Sequence, residues 1–133
     1  MTAGKFRMAD ENEKDDAEWM TRRMVCHPAS TGAKQLTVVD ATLGPGQSHS
    51  FHHHPDQEEV IFVIGGKIEQ WIGEEKRLLG FGDAAFIPAG VVHASFNAGE
   101  GDARLVAIFG PSVGDGFTVV DVSGEAPWNT LRS

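Results

Sequence analysis

Short runs of β-branched and aromatic residues alternate with glycine-rich turns through most of this chain, and this pattern limits the possible folds more than any other feature. No central stretch keeps helical periodicity over three turns. Sixteen glycines among 133 residues supply tight corners, because glycine adopts positive φ at little cost. Even spacing of short strands predicts an all-β sandwich or barrel. The runs predicted as strands are 36–40, 60–64, 67–72, 84–87, 105–109 and 117–120.

The two ends of the chain differ from this body. Residues 1–18 are polar and acidic, and such a segment offers too little apolar surface to offset the entropy of ordering. We predict a mobile arm at 1–18, with a short helix as the alternative, followed by a single domain at 19–133. From Val122 onward, Pro127 and Trp128 predict an irregular C-terminal strap that the tryptophan anchors to the surface.

The charge balance and the cysteine content restrict the partners and the compartment. With 19 acidic and 11 basic side chains, the net charge is −8, which repels phosphate backbones and anionic lipids. We therefore expect neither a nucleic-acid nor a membrane partner. The single cysteine, Cys26, excludes an internal disulfide and is expected to be a packed thiol. One thiol, and an N-terminus without the apolar core of a secretion signal, predict a cytoplasmic protein.

Six histidines in so short a chain point to a metal site. His52 and His54 are two residues apart, and residues i and i+2 of a strand share a face, so their imidazoles converge. A carboxylate follows at Glu58 or Glu59, and His93 comes from a distant segment. Three imidazoles and one carboxylate suit Fe, Mn, Ni, Cu or Zn rather than Ca or Mg.

The remaining histidines carry weaker expectations. His49 lies just before the pair and is predicted to be a solvated loop residue, with support of the ligands as the alternative. His27, which follows the single cysteine, is predicted to be structural.

The spacing around the histidines resembles the two motifs of the cupin family. From Gly46 the chain reads Gly-x5-His-x-His-x4-Glu-x6-Gly and ends at Gly66. From Gly82 it reads Gly-x5-Pro-x-Gly-x2-His-x3-Asn and ends at Asn97. Both motifs are complete, and the short stretch between them, 67–81, has the length that is typical of small bacterial members.

This resemblance implies a single-domain type-2 cupin, a jelly-roll β-barrel with motif 1 at 46–66 and motif 2 at 82–97. It also implies one divalent transition metal per chain, with Fe, Mn, Ni and Zn all possible. By position, the implied metal ligands are His52, His54, Glu59 and His93.

Two adjacent glutamates fit the first motif. Glu58 with Gly65 satisfies it, as does Glu59 with Gly66, because the family tolerates three or four residues after the second histidine. We prefer Glu59, which leaves an uninterrupted strand at 60–64.

Strand parity predicts the lining of the pocket and the outer face. Gln70 is expected to point inward, and Ser95 shares the alternation of His93, so both are candidates for orienting a bound ligand. Trp71 and Phe62 are expected to point outward, and exposed aromatic residues of this size predict a homodimer.

We expect a small metalloenzyme that acts on a small oxygen-bearing organic substrate, and the resemblance to cupins implies the oxygenase type. Four protein ligands on a metal that prefers six leave two adjacent positions for substrate, water or O2. A metal-dependent isomerase or lyase is the alternative, as is a non-catalytic module that binds a small molecule or metal. The sequence identifies no catalytic acid or base.

Overall fold

The computed structural model describes residues 3–17 and 19–132. Its strands are β1 (Glu13–Asp16), β2 (Thr21–Cys26), β3 (Thr37–Leu43), β4 (Ser48–His53), β5 (Glu58–Gly65), β6 (Ile68–Ile72), β7 (Glu75–Leu79), β8 (Ala84–Ile87), β9 (His93–Asn97), β10 (Ala103–Gly110) and β11 (Val120–Asp121). A 3-10 turn at Ala9–Glu11 and the helices α1 (Pro28–Thr31) and α2 (Trp128–Leu131) complete the described elements. None of the helices in these ranges is long enough to cross a membrane.

The strands form two antiparallel sheets that face each other. One has the order β1-β2-β3-β10-β5-β8 and the other the order β11-β4-β9-β6-β7. Non-sequential neighbours such as β3 and β10 come from the crossing connections of a jelly roll. The prediction of an all-β jelly-roll domain is therefore confirmed, with two facing sheets rather than one continuously hydrogen-bonded barrel.

The core between the sheets follows from period-two alternation. Along β3 and β10, buried positions alternate with half-buried or exposed ones. Leu43 and Val63 are completely shielded from solvent, and each such side chain contributes about 1.5–3 kcal/mol relative to an exposed one. On β5, Glu59, Ile61 and Val63 are buried and point inward, whereas Phe62 points outward as predicted.

The sequence pattern did not predict most of the strands that are rich in polar residues. Strands β1, β2, β4, β7 and β9 lie outside the predicted runs, and β11 is shorter than the run at 117–120. β7 is an edge strand whose first four residues are exposed, so charged side chains cost it little. Its pairing with β6 supplies the order that its composition does not indicate.

The N-terminal segment is paired with the sheet over part of its length. Within 1–18, predicted to be a mobile arm, β1 runs antiparallel to β2, with Asp15 opposite Arg22. Cross-strand pairs of opposite charge stabilise this contact, and Asp15 forms an ion pair with Arg22. Residues 1, 2 and 18 lie outside the described residues, and the mobility of the arm stays a prediction.

The C-terminal strap covers the outer face of the five-stranded sheet. Trp128 stacks on Phe51 with 5.6 Å between ring centroids, and Trp71 meets Phe51 edge-on at 5.5 Å. Trp71 points outward as predicted, yet it is only 4% exposed. It therefore lends no support to the predicted homodimer, because the chain's own C-terminal segment buries it. Phe62 remains 40% exposed.

Candidate metal centre

Four side chains from three neighbouring elements meet inside the jelly roll. His52 lies at the end of β4, His54 directly follows that strand, Glu59 lies near the start of β5, and His93 begins β9. β4 and β9 are paired so that His52 stands opposite His93. One nitrogen or oxygen of each side chain lies within 4.8 Å of those of the others, and all four residues are buried. The structure thus brings together the four residues that the motifs predict.

A backbone carbonyl orients each imidazole. The Nδ1 of His52 lies 2.6 Å from the carbonyl oxygen of Ser50, and the Nδ1 of His54 lies 2.6 Å from that of Thr118. The Nδ1 of His93 is 2.9 Å from the Val91 carbonyl oxygen. Since a carbonyl only accepts hydrogen bonds, each Nδ1 must carry the proton. In a neutral imidazole, this leaves an unprotonated Nε2, and the tautomer is the one that metal-binding histidines use.

The inward atoms lack hydrogen-bond donors among the described residues. The Oε1 of Glu59 is 2.9 Å from the Nε2 of His93 and 3.2 Å from the Nε2 of His54, yet all three atoms are buried without a donor. Lone pairs held this close repel one another unless a cation lies between them. The chemistry and placement of these atoms therefore fit a divalent transition metal.

The protonation states support the same conclusion. Burial lowers the pKa of His52 well below its usual value, so its imidazole is neutral near pH 7. Burial by itself would raise the pKa of Glu59, but hydrogen bonds and positive charge from His54 and His93, in the forms that carry a proton on Nε2, outweigh it and lower the pKa. A neutral imidazole and an ionised carboxylate are the forms in which these groups bind a metal.

The structure distinguishes the two adjacent glutamates. Glu59 is 5% exposed and points into the cluster, whereas Glu58 is exposed on the other face of β5. Alternation along a strand makes it impossible for both to point the same way.

We expect Glu59→Gln to weaken metal binding by more than about tenfold, because the ligand loses its charge and half its oxygen donors. Glu58→Gln is the matched control, with the same chemical change on the exposed face, and should leave the affinity within about twofold. Titration of chelator-treated protein with Zn²⁺ in the presence of a competing indicator measures both. An equal or reversed effect of the two substitutions would contradict this assignment.

Gln57 is a residue that sequence reasoning missed. Its buried side chain donates hydrogen bonds to the carbonyl oxygens of Pro111 and Gly116, at 2.7 and 2.9 Å, and accepts one from the Thr118 amide at 3.1 Å. The carbonyl of Thr118 is the group that orients His54. Gln57 thereby fixes the loop whose Thr118 carbonyl orients His54, a predicted metal ligand. The only sequence signal was a polar residue between the histidine pair and the glutamate.

Gln57→Leu should lower the free energy of unfolding by about 1–3 kcal/mol, because three backbone groups lose their buried partner. It should also weaken metal binding by about tenfold to a hundredfold, the usual effect of losing support behind a ligand. Urea denaturation and Zn²⁺ titration measure the two effects. The exposed Gln35 offers a control, since Gln35→Leu should change neither quantity appreciably. An unchanged metal affinity in the Gln57 variant would contradict the proposal that Gln57 positions His54.

A largely apolar pocket adjoins the cluster. It is partly open to solvent, and its walls include Met20, Val39, Leu105 and Phe117. Ser95 lines this pocket, as predicted. Gln70 is buried and inward, but it lines a separate pocket together with Ile72 and Ala85. The hydroxyl of Ser95 donates to the Oε1 of Gln70 at 2.6 Å. Their roles toward a ligand stay predictions.

His49 packs against the cluster instead of lying in a solvated loop. It stacks on His52 with 3.4 Å between ring centroids, and Trp19 lies against it at 4.5 Å. Burial lowers the pKa of His49 to about 3, so it is neutral near pH 7. His27 is buried away from the cluster, with its Nδ1 2.7 Å from the hydroxyl of Ser30 at the start of α1. That contact agrees with a structural role.

Fold and site together define a class of protein: a small jelly roll with three histidines and one glutamate buried between its sheets. The family model described as cupin domain matches residues 39–109, which is more than half of the chain. The chain belongs to the cupin family.

Comparison with curated and solved proteins gives the same family likeness. The chain is 30% identical over 89 residues to the polyketide synthase CurC of Streptomyces cyaneus, covering 67% of this chain and 58% of that protein. It is 41% identical over 70 residues to quercetin 2,3-dioxygenase of Bacillus subtilis, covering 53% of this chain and 20% of the enzyme. The chain spans about six-tenths of the length of the curated relatives that match it over 89 residues.

Among solved structures, KdgF from Halomonas sp. superposes with a TM-score of 0.73 at 25% sequence identity. The match covers 82% of this chain and 96% of KdgF.

Proposed function

We propose that this protein binds one divalent transition metal, with Fe, Mn, Ni and Zn as candidates, through His52, His54, Glu59 and His93. We further propose that it is a metal-dependent enzyme of the oxygenase type for a small oxygen-bearing organic substrate. The observation that carries the proposal is the convergence of unprotonated nitrogens and a carboxylate oxygen without a donor between them. A relative named quercetin 2,3-dioxygenase supports the oxygenase type.

Each group of the chain has a defined part in this proposal. The bound metal would supply Lewis acidity or, if it is Fe or Mn, redox chemistry. Three imidazoles and one carboxylate would hold the ion, and the apolar pocket that His52, His54 and Glu59 also line would receive the substrate. Phe109 and Phe117, stacked at 4.8 Å, shield His54 from water on that side. A dry pocket strengthens every polar contact made to a bound substrate.

A second candidate is a metal-dependent isomerase or lyase that needs no O2. Its support is the relative named polyketide synthase CurC, since polyketides carry carbonyl and enol oxygens that a Lewis acid polarises. Both candidates share the metal site and differ in their requirement for O2. A non-catalytic binding module would retain the site and turn over neither kind of substrate.

The deciding experiment measures the metal content of anaerobically purified protein together with O2 uptake on diketones, thiols and polyphenols. Near one Fe or Mn per chain with O2 uptake on one substrate class supports the oxygenase. Near one metal per chain without uptake, but with loss of a diketone absorbance, supports the isomerase or lyase. Absence of stoichiometric metal after loading with each of Fe, Mn, Ni and Zn would overturn both. His93→Ala protein, measured in parallel, reports uptake due to adventitious metal.

The homodimer stays a prediction. The exposed aromatic side chains Phe62 and Phe86 lie on adjacent strands β5 and β8 at the edge of the six-stranded sheet. Light scattering coupled to size exclusion measures the mass of the protein in solution. A mass of two chains that falls to the mass of one chain in Phe62→Glu protein would place a second copy on this face.

A further inference from the structure

We propose that Arg22 recognises an anionic oxygen of the ligand, so the substrate class is a small organic carboxylate or enolate with an apolar body. The inference rests on the proposed function in one respect: the ligand occupies the pocket beside the metal cluster. No motif of the family resemblance includes Arg22, which precedes the first motif residue, Gly46, by a whole strand and its connections.

Arg22 is a charged residue on an apolar inward face. It shares its face with Met24 of β2 and with Met20, which precedes that strand, and it pairs with the buried Ala41 of β3. Directly paired residues of antiparallel strands point to the same side of the sheet, so the guanidinium is directed between the sheets. It lines the same pocket as His52 and Glu59. A charge at such a position is costly unless a partner compensates it.

The described residues compensate Arg22 incompletely. Its Nε is buried and has no hydrogen-bond partner among them. Its guanidinium lies 5.6 Å from the ring centroid of Trp19 and 5.6 Å from that of Phe117, so two aromatic rings fix its position. A planar guanidinium with free N–H donors matches the two oxygens of a carboxylate. The guanidinium of Arg22 is therefore fixed by its neighbours, while its Nε–H donor has no partner among the described residues.

Asp15 shows that the guanidinium of Arg22 accepts a carboxylate partner. It forms an ion pair with an Nη of Arg22, but its side chain is 55% exposed and belongs to the edge strand β1. Exposed ion pairs of this kind contribute little to stability. A carboxylate entering the pocket would exchange a weak, solvated contact for one shielded by the aromatic rings. Asp15 thus competes with an anionic ligand for this Nη group, whereas the Nε of Arg22 has no hydrogen-bond partner among the described residues.

The charge and lining of the pocket give the rest of the substrate class. Among its described lining residues, Arg22 and Glu59 carry full charges, and Glu59 is turned toward the imidazoles. A divalent ion on the cluster would make the pocket net positive within a chain of net charge −8. The other walls are mainly aliphatic and aromatic, which favours an apolar body next to the anionic group.

Calorimetric titration with benzoate and acetate, and with the neutral analogues benzamide and acetamide, tests the proposal. Each titration uses Zn²⁺-loaded protein and chelator-treated protein, so that binding to the metal is separated from binding to Arg22. We expect Arg22→Gln to weaken the tighter-binding carboxylate by about tenfold to a hundredfold and to leave its amide within about twofold. Arg22→Lys should retain part of the affinity. Asp15→Asn should strengthen carboxylate binding by about 1.5- to fivefold.

Arg23→Gln is the matched control, because it removes the same charge from the opposite face of β2 and should leave both probes unchanged. Equal losses in the Arg22 and Arg23 variants, or no carboxylate binding by the unmodified protein, would overturn the proposal. So would equal losses for carboxylate and amide. Metal content is measured on every variant. Stoichiometric metal without an Arg22 effect rejects this inference alone, whereas failure to bind metal rejects the proposed function and leaves the chelator-treated titrations to decide on Arg22.

Discussion

Replacing either His52 or His93 by alanine is expected to remove most of the bound metal. Each supplies one of four buried donor atoms, so the loss should exceed the tenfold to hundredfold in affinity that removal of an outer partner costs, roughly. The melting temperature of metal-loaded protein should fall as well, since binding energy adds to folding energy. For free metal at about 100 times Kd, the difference is roughly 2.7 kcal/mol, or about 10 °C in a chain of this size.

His53→Ala is the control for this prediction. His53 lies between His52 and His54 on the opposite side of the strand and is not part of the cluster. Its loss should leave the metal content at about one ion per chain. Elemental analysis gives the metal content, and calorimetric melting with and without chelator gives the stability. Melting temperatures that respond equally to the chelator in native and His93→Ala protein would show that these residues do not hold the ion.

Gly66→Ala is expected to be among the most destabilising single substitutions in the chain. Gly66 has φ +69°, and a Cβ there would lie 2.4 Å from the carbonyl oxygen of Asp102 and 2.8 Å from the Cα of Ala103. Both are backbone atoms next to the start of β10, so they cannot rotate away. Backbone strain and overpacking together should lower the free energy of unfolding by about 3 kcal/mol or more.

Gly73→Ala separates the two causes. Gly73 also has positive φ, at +58°, but nothing lies within 4 Å of the position that a Cβ would take there. Gly73→Ala should therefore lower the free energy of unfolding only through backbone strain, by about 1 kcal/mol. Urea denaturation of both variants measures the difference. If they lose equal stability, the close approach of β5 to the segment before β10 is not what Gly66 provides.

Motif spacing made the cluster of His52, His54, Glu59 and His93 largely predictable. Period-two geometry places His52 and His54 on one face, and the second motif adds His93. Asn97, the last residue of the second motif, braces the loop that follows it, because its side chain donates to the carbonyls of Leu43 and Gly101 and accepts from the amide of Gly99. Gly66 could be predicted because a corner with positive φ leaves few alternatives.

The polar strands and the supports of the site were not predictable in this way. β1 and β7 carry charged residues, and their order comes from pairing with β2 and β6. Gln57 acts on His54 through the loop at 111–118, which follows β10 and is distant from both residues in the chain. Long-range contacts of this kind leave no periodic trace in a sequence.

The sequence by itself determined the fold class, the family and the three histidines of the cluster, with Glu58 or Glu59 as the fourth member, because local period and motif spacing encode them. Only the tertiary structure decided that Glu59 faces the cluster, that Trp71 is covered by the chain's own C-terminal strap, and that Arg22 points into the pocket. Each of these depends on which segments from distant parts of the chain meet across the two sheets. The burial and the electrostatic environment of a side chain depend on these contacts between distant segments, so the pattern of residues along the chain does not reveal them.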